Sequence, residues 1–108
     1  MSWDTCISID TGGDEMALVE DVGNYTYNVA PMYYGAFGEG GFRQLNKMNC
    51  KDATPILKKA IKNMMVNKQE YTKMNPPNGW GNYEGALEYL KKILQACKNH
   101  PNAVIDIQ

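Results

Sequence analysis

The chain has 108 residues, of which 44% are hydrophobic and 21% charged, and its formal net charge is −1. These values predict one folded domain over residues 1–108 and exclude a disordered chain. No apolar run approaches the length of a membrane span, and the first residues lack a signal-peptide pattern, so we expect no membrane association.

The charges are unevenly distributed along the chain. Residues 1–40 contain seven acidic side chains and no lysine or arginine, whereas Arg43 and ten lysines follow. With one arginine and no basic run interleaved with aromatics, the sequence disfavours sequence-specific DNA binding. Three widely spaced cysteines and a single histidine match no metal-ligand spacing, so we expect reduced thiols in a cytoplasmic compartment and neither metal nor cofactor.

Two strands are predicted first. Trp3, Thr5, Ile7 and Ile9 alternate with polar residues, which is typical of a half-buried strand. After a turn at residues 11–14, residues 15–22 predict a returning strand with Met16, Leu18 and Val22 on one face. The two strands would form a β-hairpin with an acidic edge of Asp14, Glu15, Glu20 and Asp21.

Helical periodicity follows. Asn28 is predicted to cap a helix with Pro31 in its first turn and Met32, Tyr33, Ala36 and Phe37 facing the core. A glycine cluster at 38–41 would end that helix, and residues 42–45 would add a short turn. Asp52 is the expected cap of the next helix, whose inward stripe comprises Ile56, Leu57, Ala60, Ile61, Met64 and Met65. One or two further turns, at 67–74, would direct Tyr71 and Met74 inward.

A stiff aromatic stretch at residues 75–85 separates the last two helical segments. Pro76 and Pro77 end one segment, Asn78 and Gly79 form a turn, and Asn82 is the expected cap of the next helix. Trp80 could fill the core at this corner, or the loop could line a binding site. The last helix carries an apolar stripe of Tyr83, Ala86, Leu87, Leu90, Leu94 and Cys97, and residues 103–108 alternate as a final strand.

These elements predict an α+β fold in the order β-β-α-α-α-β. A small antiparallel sheet of about three strands would combine the N-terminal hairpin with the C-terminal strand, and two to three helices would cover one face.

The patterns GNYTxNV at 23–29, NPxNGWGxYxGA at 75–86 and CxxHPxA at 97–103 resemble a family of small uncharacterised proteins encoded by bacteriophages and some bacterial genomes. The resemblance implies a phage accessory role in the cytoplasm of a bacterial host. Small proteins in that setting often inhibit a host defence protein or sequester a nucleotide signal, and a structural phage role is a further alternative.

Two modes of binding, with no catalysis, are consistent with a phage accessory role. A recognition surface of aromatic and amide side chains would form where the exit of the hairpin meets the helix corner. Its candidate residues are Asn24, Tyr25, Tyr27, Asn28, Asn78, Trp80, Asn82 and Tyr83. It would hold a small nucleotide-like ligand, with a homo-oligomer as an option, whereas the acidic edge would instead bind a host defence protein.

Enzymatic alternatives centre on Asp10. The triplet of residues 10–12, Asp-Thr-Gly, matches that of aspartic proteases, but their chemistry needs two aspartates across a dyad in a nearly all-β fold. A small hydrolase or a metal-dependent enzyme using Asp10 and Asp14 remains an alternative. Cys97 and His100 could approach each other at the helix end, although no orienting third group is evident.

Overall fold

The structure is a computed structural model that describes residues 2–10 and 16–108, without the side chain of Met16. The elements of this part of the chain are β1 (Ser2–Asp10), β2 (Met16–Thr26), α1 (Ala30–Phe37), α2 (Cys50–Val66), α3 (Lys68–Thr72), α4 (Tyr83–Asn99) and β3 (Val104–Ile107). Two 3₁₀ turns, Tyr27–Val29 and Gly41–Leu45, flank α1.

The three strands form an antiparallel sheet in the order β2-β1-β3. Trp3, Thr5 and Ile7 of the central strand are buried beneath the helices, together with Ile105 and Ile107 of β3. The α+β fold and the pairing of the C-terminal strand are therefore confirmed. Ile9, which was predicted on the same side as these residues, is exposed, because pairing between β1 and β3 ends at Ser8.

Two bulges displace β2 from its predicted alternation. Thr5 pairs with Gly23 whereas Cys6 pairs with Asp21, so one extra residue, Val22, is accommodated between them. A second irregularity follows between Ile7 and Ser8. Leu18 therefore pairs with Ser8 and lies on the opposite face of the sheet from Ile7, where it is 62% exposed. Val22 is instead partly buried against the core, so the shared face predicted for these two residues is wrong.

Two predicted helix caps are also wrong. The Thr26 hydroxyl accepts a hydrogen bond from the backbone N–H of Asn28 at 3.2 Å, so Thr26 caps the chain before α1 in place of Asn28. Likewise, the side chain of Asn49 accepts from the N–H of Lys51 at 2.9 Å and caps α2. Asp52 lies inside that first turn, where its negative charge interacts favourably with the positive end of the helix dipole.

The segment before α2 explains its early start. The N–H of Cys50 donates to the carbonyl of Ala103 at 2.8 Å, and Lys47 N–H donates to Ile105 O at 2.7 Å. The N–H of Ile105 in turn donates to Met48 O at 2.9 Å. Residues 47–50 thus cover the outer edge of β3 and hold the start of α2 against the sheet.

The core lies between α2, α4, α1 and the inner face of the sheet. The predicted inward residues of α2 and α4 that are buried are Leu57, Ala60, Ile61, Met64, Tyr83, Ala86, Leu87, Leu90 and Cys97. Met65 is exposed because it lies about 100° further round the helix than Met64. Tyr71 is buried as predicted, but Met74 lies beyond the end of α3 and is exposed.

The hydroxyl of Tyr89 joins α4 to both longer strands. It lies 2.6 Å from the Thr5 hydroxyl, 3.1 Å from Gly23 O and 3.4 Å from Trp3 O. A tyrosine hydroxyl has one proton, so Tyr89 donates to the nearer carbonyl, that of Gly23, and accepts from Thr5. Burial raises the pKa of Tyr89 to about 12, so the hydroxyl keeps its proton at neutral pH.

We predict that Tyr89→Phe lowers the free energy of unfolding by about 1–3 kcal/mol, because it leaves the buried Thr5 hydroxyl and the Gly23 carbonyl without this partner. Tyr34→Phe is the matched control, since this exposed hydroxyl has no hydrogen bond within the described residues. The control should change stability by about 0.5 kcal/mol or less. Urea denaturation measures both, and equal effects of the two substitutions would contradict the role of Tyr89.

We also predict that stability falls at alkaline pH. Burial raises the pKa of the Cys97 thiol well above its ordinary value of 9.0, and that of Cys50 is raised as well. Because the folded state holds these protons more tightly, their contribution is complete below the unfolded-state pKa and is lost as pH rises above about 9.

Urea denaturation at about pH 8 and about pH 10 measures this loss. In a Cys50→Ala/Cys97→Ala variant, the fall in unfolding free energy between these pH values should be smaller. The remaining fall reports Cys6 and the buried tyrosines, whose pKa values are also raised. A fall as large as that of the natural chain would show that the thiols of Cys50 and Cys97 do not contribute.

Candidate functional site

The end of β2 and the loop before α4 meet at one end of the molecule, as predicted. We call this meeting point, residues 24–28 with 75–83, the corner. The Tyr25 hydroxyl accepts from the N–H of Asn82 at 3.1 Å and donates to its carbonyl at 3.4 Å. The side-chain amide of Asn78 donates to Asn28 Oδ1 at 3.3 Å.

Several predicted binding groups at the corner serve the fold. Asn82 Oδ1 accepts from Gly85 N–H at 2.7 Å and caps α4, as expected. The Asn75 side chain accepts from Tyr83 N–H, and the Tyr83 hydroxyl donates to Met64 O, both at 2.8 Å. Tyr83 is therefore a core residue that ties α4 to the end of α2.

Trp80 does not fill the core, and that interpretation is wrong. Its side chain is 65% exposed. Asn78 Oδ1 accepts from the backbone N–H of Trp80 at 2.9 Å, and Gly79 adopts a positive φ of 76°. This tight turn carries the indole outward, while the side chain of Tyr25 extends from β2 to the start of α4. Asn24 is also exposed.

Gly81 permits the close approach of the two stretches. A Cβ at this position would lie 2.6 Å from Thr26 Cγ2 and 2.9 Å from Val29 Cγ1, and the backbone φ is +93°. Gly79 also has a positive φ, but a Cβ there would have no heavy atom within 4 Å.

These two glycines form a matched pair for a test of the corner. We predict that Gly79→Ala lowers the free energy of unfolding by about 1–2 kcal/mol, the cost of left-handed backbone for an L-residue. Gly81→Ala should cost a further ~1–3 kcal/mol, because Thr26 and Val29 must also move. Denaturant melts measure the difference, and equal losses would show that the corner is loosely packed.

A cleft lies beside the corner, and we call it the aromatic cleft. It encloses about 240 Å³ and is lined by Trp3, Tyr27, Ala30, Tyr33, Tyr34, Gly40, Phe42 and Arg43. The Trp3 ring lies 4.9 Å from that of Tyr27 and 5.0 Å from that of Phe42, measured between centroids. Of the eight predicted corner residues, Tyr27 alone lines this cleft.

Four separate segments build the aromatic cleft. Trp3 comes from β1, Tyr27 from the first 3₁₀ turn, and Tyr34 from α1, and Arg43 follows in the second 3₁₀ turn. The turn between α1 and Arg43 uses three glycines with positive φ, Gly38, Gly40 and Gly41. A Cβ at Gly41 would lie 3.0 Å from ring carbons of Tyr34, so this glycine lets the tyrosine ring lie against the backbone.

The charge of the aromatic cleft is positive. Arg43 is exposed and makes no ion pair with any residue in the described part of the chain. The residues that line the cleft include no carboxylate, imidazole or thiol. Burial raises the pKa of Tyr33 well above 10.0, so its hydroxyl, which donates to Ala86 O, remains neutral. The arrangement suits binding of an aromatic anion and supplies no general acid or base for neutral pH.

Sequence reasoning did not find Trp3, Tyr34 or Arg43 as site residues. Trp3 was predicted to face inward, and the glycine cluster was interpreted as the end of a helix. A usable signal was present, since the sole arginine of the chain directly follows that cluster and an aromatic residue.

The predicted acidic edge is only partly described. Glu20 Oε1 lies 3.4 Å from His100 Nε2, and Asp21 Oδ1 accepts from Gly23 N–H at 3.0 Å. Asp14 and Glu15 lie outside the described residues. Asp10 ends β1 and is exposed. Within residues 2–10 and 16–108, no group of three or more His, Cys, Asp or Glu side chains could hold a metal ion.

Comparisons of the chain with protein families, with curated proteins and with solved structures found no match. No helix in the described ranges is both long enough and apolar enough to cross a bilayer.

Proposed function

We propose that this chain is a non-enzymatic binding protein of the phage accessory type that sequesters a small nucleotide-like ligand in the aromatic cleft. The observation that carries the proposal is the combination of an aromatic lining with one guanidinium and no titrating carboxylate or imidazole. The sequence resemblance supports the phage setting, in which removal of a nucleotide signal would blunt a host defence system in the bacterial cytoplasm.

The aromatic lining supports a ligand with a planar ring. Tyr34 is 59% exposed, yet its ring is held against the backbone of Gly41. Tyr27 is half-buried and rests against Trp3. Rings fixed in this way stack on a base without a large loss of side-chain entropy, and base stacking on an aromatic residue contributes about 1–3 kcal/mol.

A second candidate is an inhibitor that binds a basic segment of a host defence protein. Cys6 of the central strand has Asp21 opposite on β2 and Asp106 opposite on β3, which places two carboxylates in one row across the sheet. Burial raises the pKa of the Cys6 thiol, and the charges of Asp106 and Asp21 raise it further. The row extends the predicted acidic edge, although Lys47 already pairs with Asp106 at 2.9 Å.

We predict that the chain retains an aromatic, anionic small molecule when it is incubated with a deproteinised bacterial extract and desalted. Native mass spectrometry, followed by release and fragmentation, would identify the compound. Tyr34→Ala should reduce the retained fraction by about tenfold, which corresponds to the lower part of the stacking range.

Two comparison variants separate the alternatives. Asp21→Lys reverses a charge of the acidic row and should leave retention unchanged if the cleft is the site. Trp80→Ala tests the corner. If this variant loses retention of the compound and Tyr34→Ala does not, the binding site lies at Trp80 and not in the cleft. If the natural chain retains no compound and instead captures a protein in a manner that Asp21→Lys abolishes, the second candidate replaces the first.

A further inference from the structure

We infer that the aromatic cleft selects a ligand unit made of one planar ring system and one anionic group, the size of a nucleoside monophosphate, and that Arg43 selects for the charge. The inference rests on the proposed function and makes the class of ligand specific. It follows from three properties of the cleft: its volume, its ring surfaces and its single cation.

The volume limits the ligand to one ring system. The cleft encloses about 240 Å³. Pockets for drug-sized ligands enclose about 300–1,000 Å³, so the cleft is smaller than these. One base fits, whereas the two bases of a dinucleotide exceed the space. A cyclic dinucleotide would therefore need two copies of the chain, each holding one base.

The ring surfaces come from the side chains that the fold already restrains. Tyr34 lies on Gly41, and the Trp3 ring contacts Tyr27, Tyr33 and Phe42 with centroid distances of 4.9–5.3 Å. These contacts leave the buried rings little freedom to open the cleft further, because a close-packed interior resists expansion. The limit on ligand size is therefore set by the packing of Trp3 with its three neighbouring rings.

The single cation sets the requirement for charge. Arg43 is the one charged residue among those that line the cleft, and it has no carboxylate partner in the described part of the chain. A guanidinium presents several N–H donors in a plane and pairs with two oxygens of a phosphate at once. A ligand that stacks in the cleft forms this ion pair with Arg43 only if its anionic group lies near its own planar ring.

The test uses Trp3 as a reporter inside the cleft. Trp80→Phe removes the second of the two indoles in the sequence, so the fluorescence of this variant reports Trp3. The variant is titrated with the four common ribonucleosides, with their 5′-monophosphates and with inorganic phosphate. We expect at least one monophosphate to bind about tenfold or more tightly than its nucleoside, and phosphate alone to leave the signal unchanged.

Substitution of Arg43 then isolates the role of charge. In the Trp80→Phe background, Arg43→Gln should abolish the preference for the monophosphate over its nucleoside, whereas Arg43→Lys should keep part of the preference. Lys92→Gln is the control, because it removes one exposed positive charge of α4 that does not line the cleft. Circular dichroism checks that each variant is folded.

The inference fails if no monophosphate binds, if nucleoside and monophosphate bind equally, or if Arg43→Gln keeps the preference. A cyclic dinucleotide bound at one ligand per single chain would also overturn it. These outcomes leave the proposed function standing as long as the chain still retains a compound from the bacterial extract, so the two failures are distinguishable.

Discussion

The buried hydroxyl of Tyr89 is the constraint on which the arrangement of sheet and helices depends. It brings α4 to the place where β2 is interrupted by its bulge, and it satisfies the carbonyl of Gly23 and the hydroxyl of Thr5 together. A buried polar group without a partner is costly, so α4 cannot slide along the sheet without losing both bonds. The position of α4 is therefore set by polar geometry as well as by apolar burial.

This constraint reaches the corner through stacked rings. The ring of Tyr25 lies 5.6 Å from that of Tyr89 at an angle of 29°, and the Tyr25 hydroxyl bonds both backbone groups of Asn82. The start of α4 and the end of β2 are thus fixed by the stacked rings of Tyr25 and Tyr89. On the other side, Phe42 lies 5.8 Å from Tyr89 and contacts Trp3, so the same cluster forms the floor of the aromatic cleft.

Sequence patterns predicted those parts of the fold that depend on local periodicity. The stripes of α2 and α4 and the alternation of β3 are repeated often enough that one face must be buried, whatever covers it. Leu18 and Trp80 were misassigned because a bulge and a turn, neither visible in hydrophobic periodicity, reverse where a side chain points. The cleft could not be predicted because its members come from four segments, and although Arg43 is the sole arginine and follows the glycine cluster, nothing in the sequence places it beside Trp3, Tyr27 and Tyr34.

Hydrogen-bond capacity separates the two candidate surfaces. At the corner, the amides of Asn78 and Asn82 and the hydroxyl of Tyr25 are already used within the fold, so a ligand that engaged them would have to break those bonds and compensate for them. In the cleft, the Tyr34 hydroxyl and the Arg43 guanidinium have no such partners in the described part of the chain. A ligand can engage these exposed groups without breaking a hydrogen bond of the fold, and this is the reason for proposing the cleft over the corner as the place of recognition.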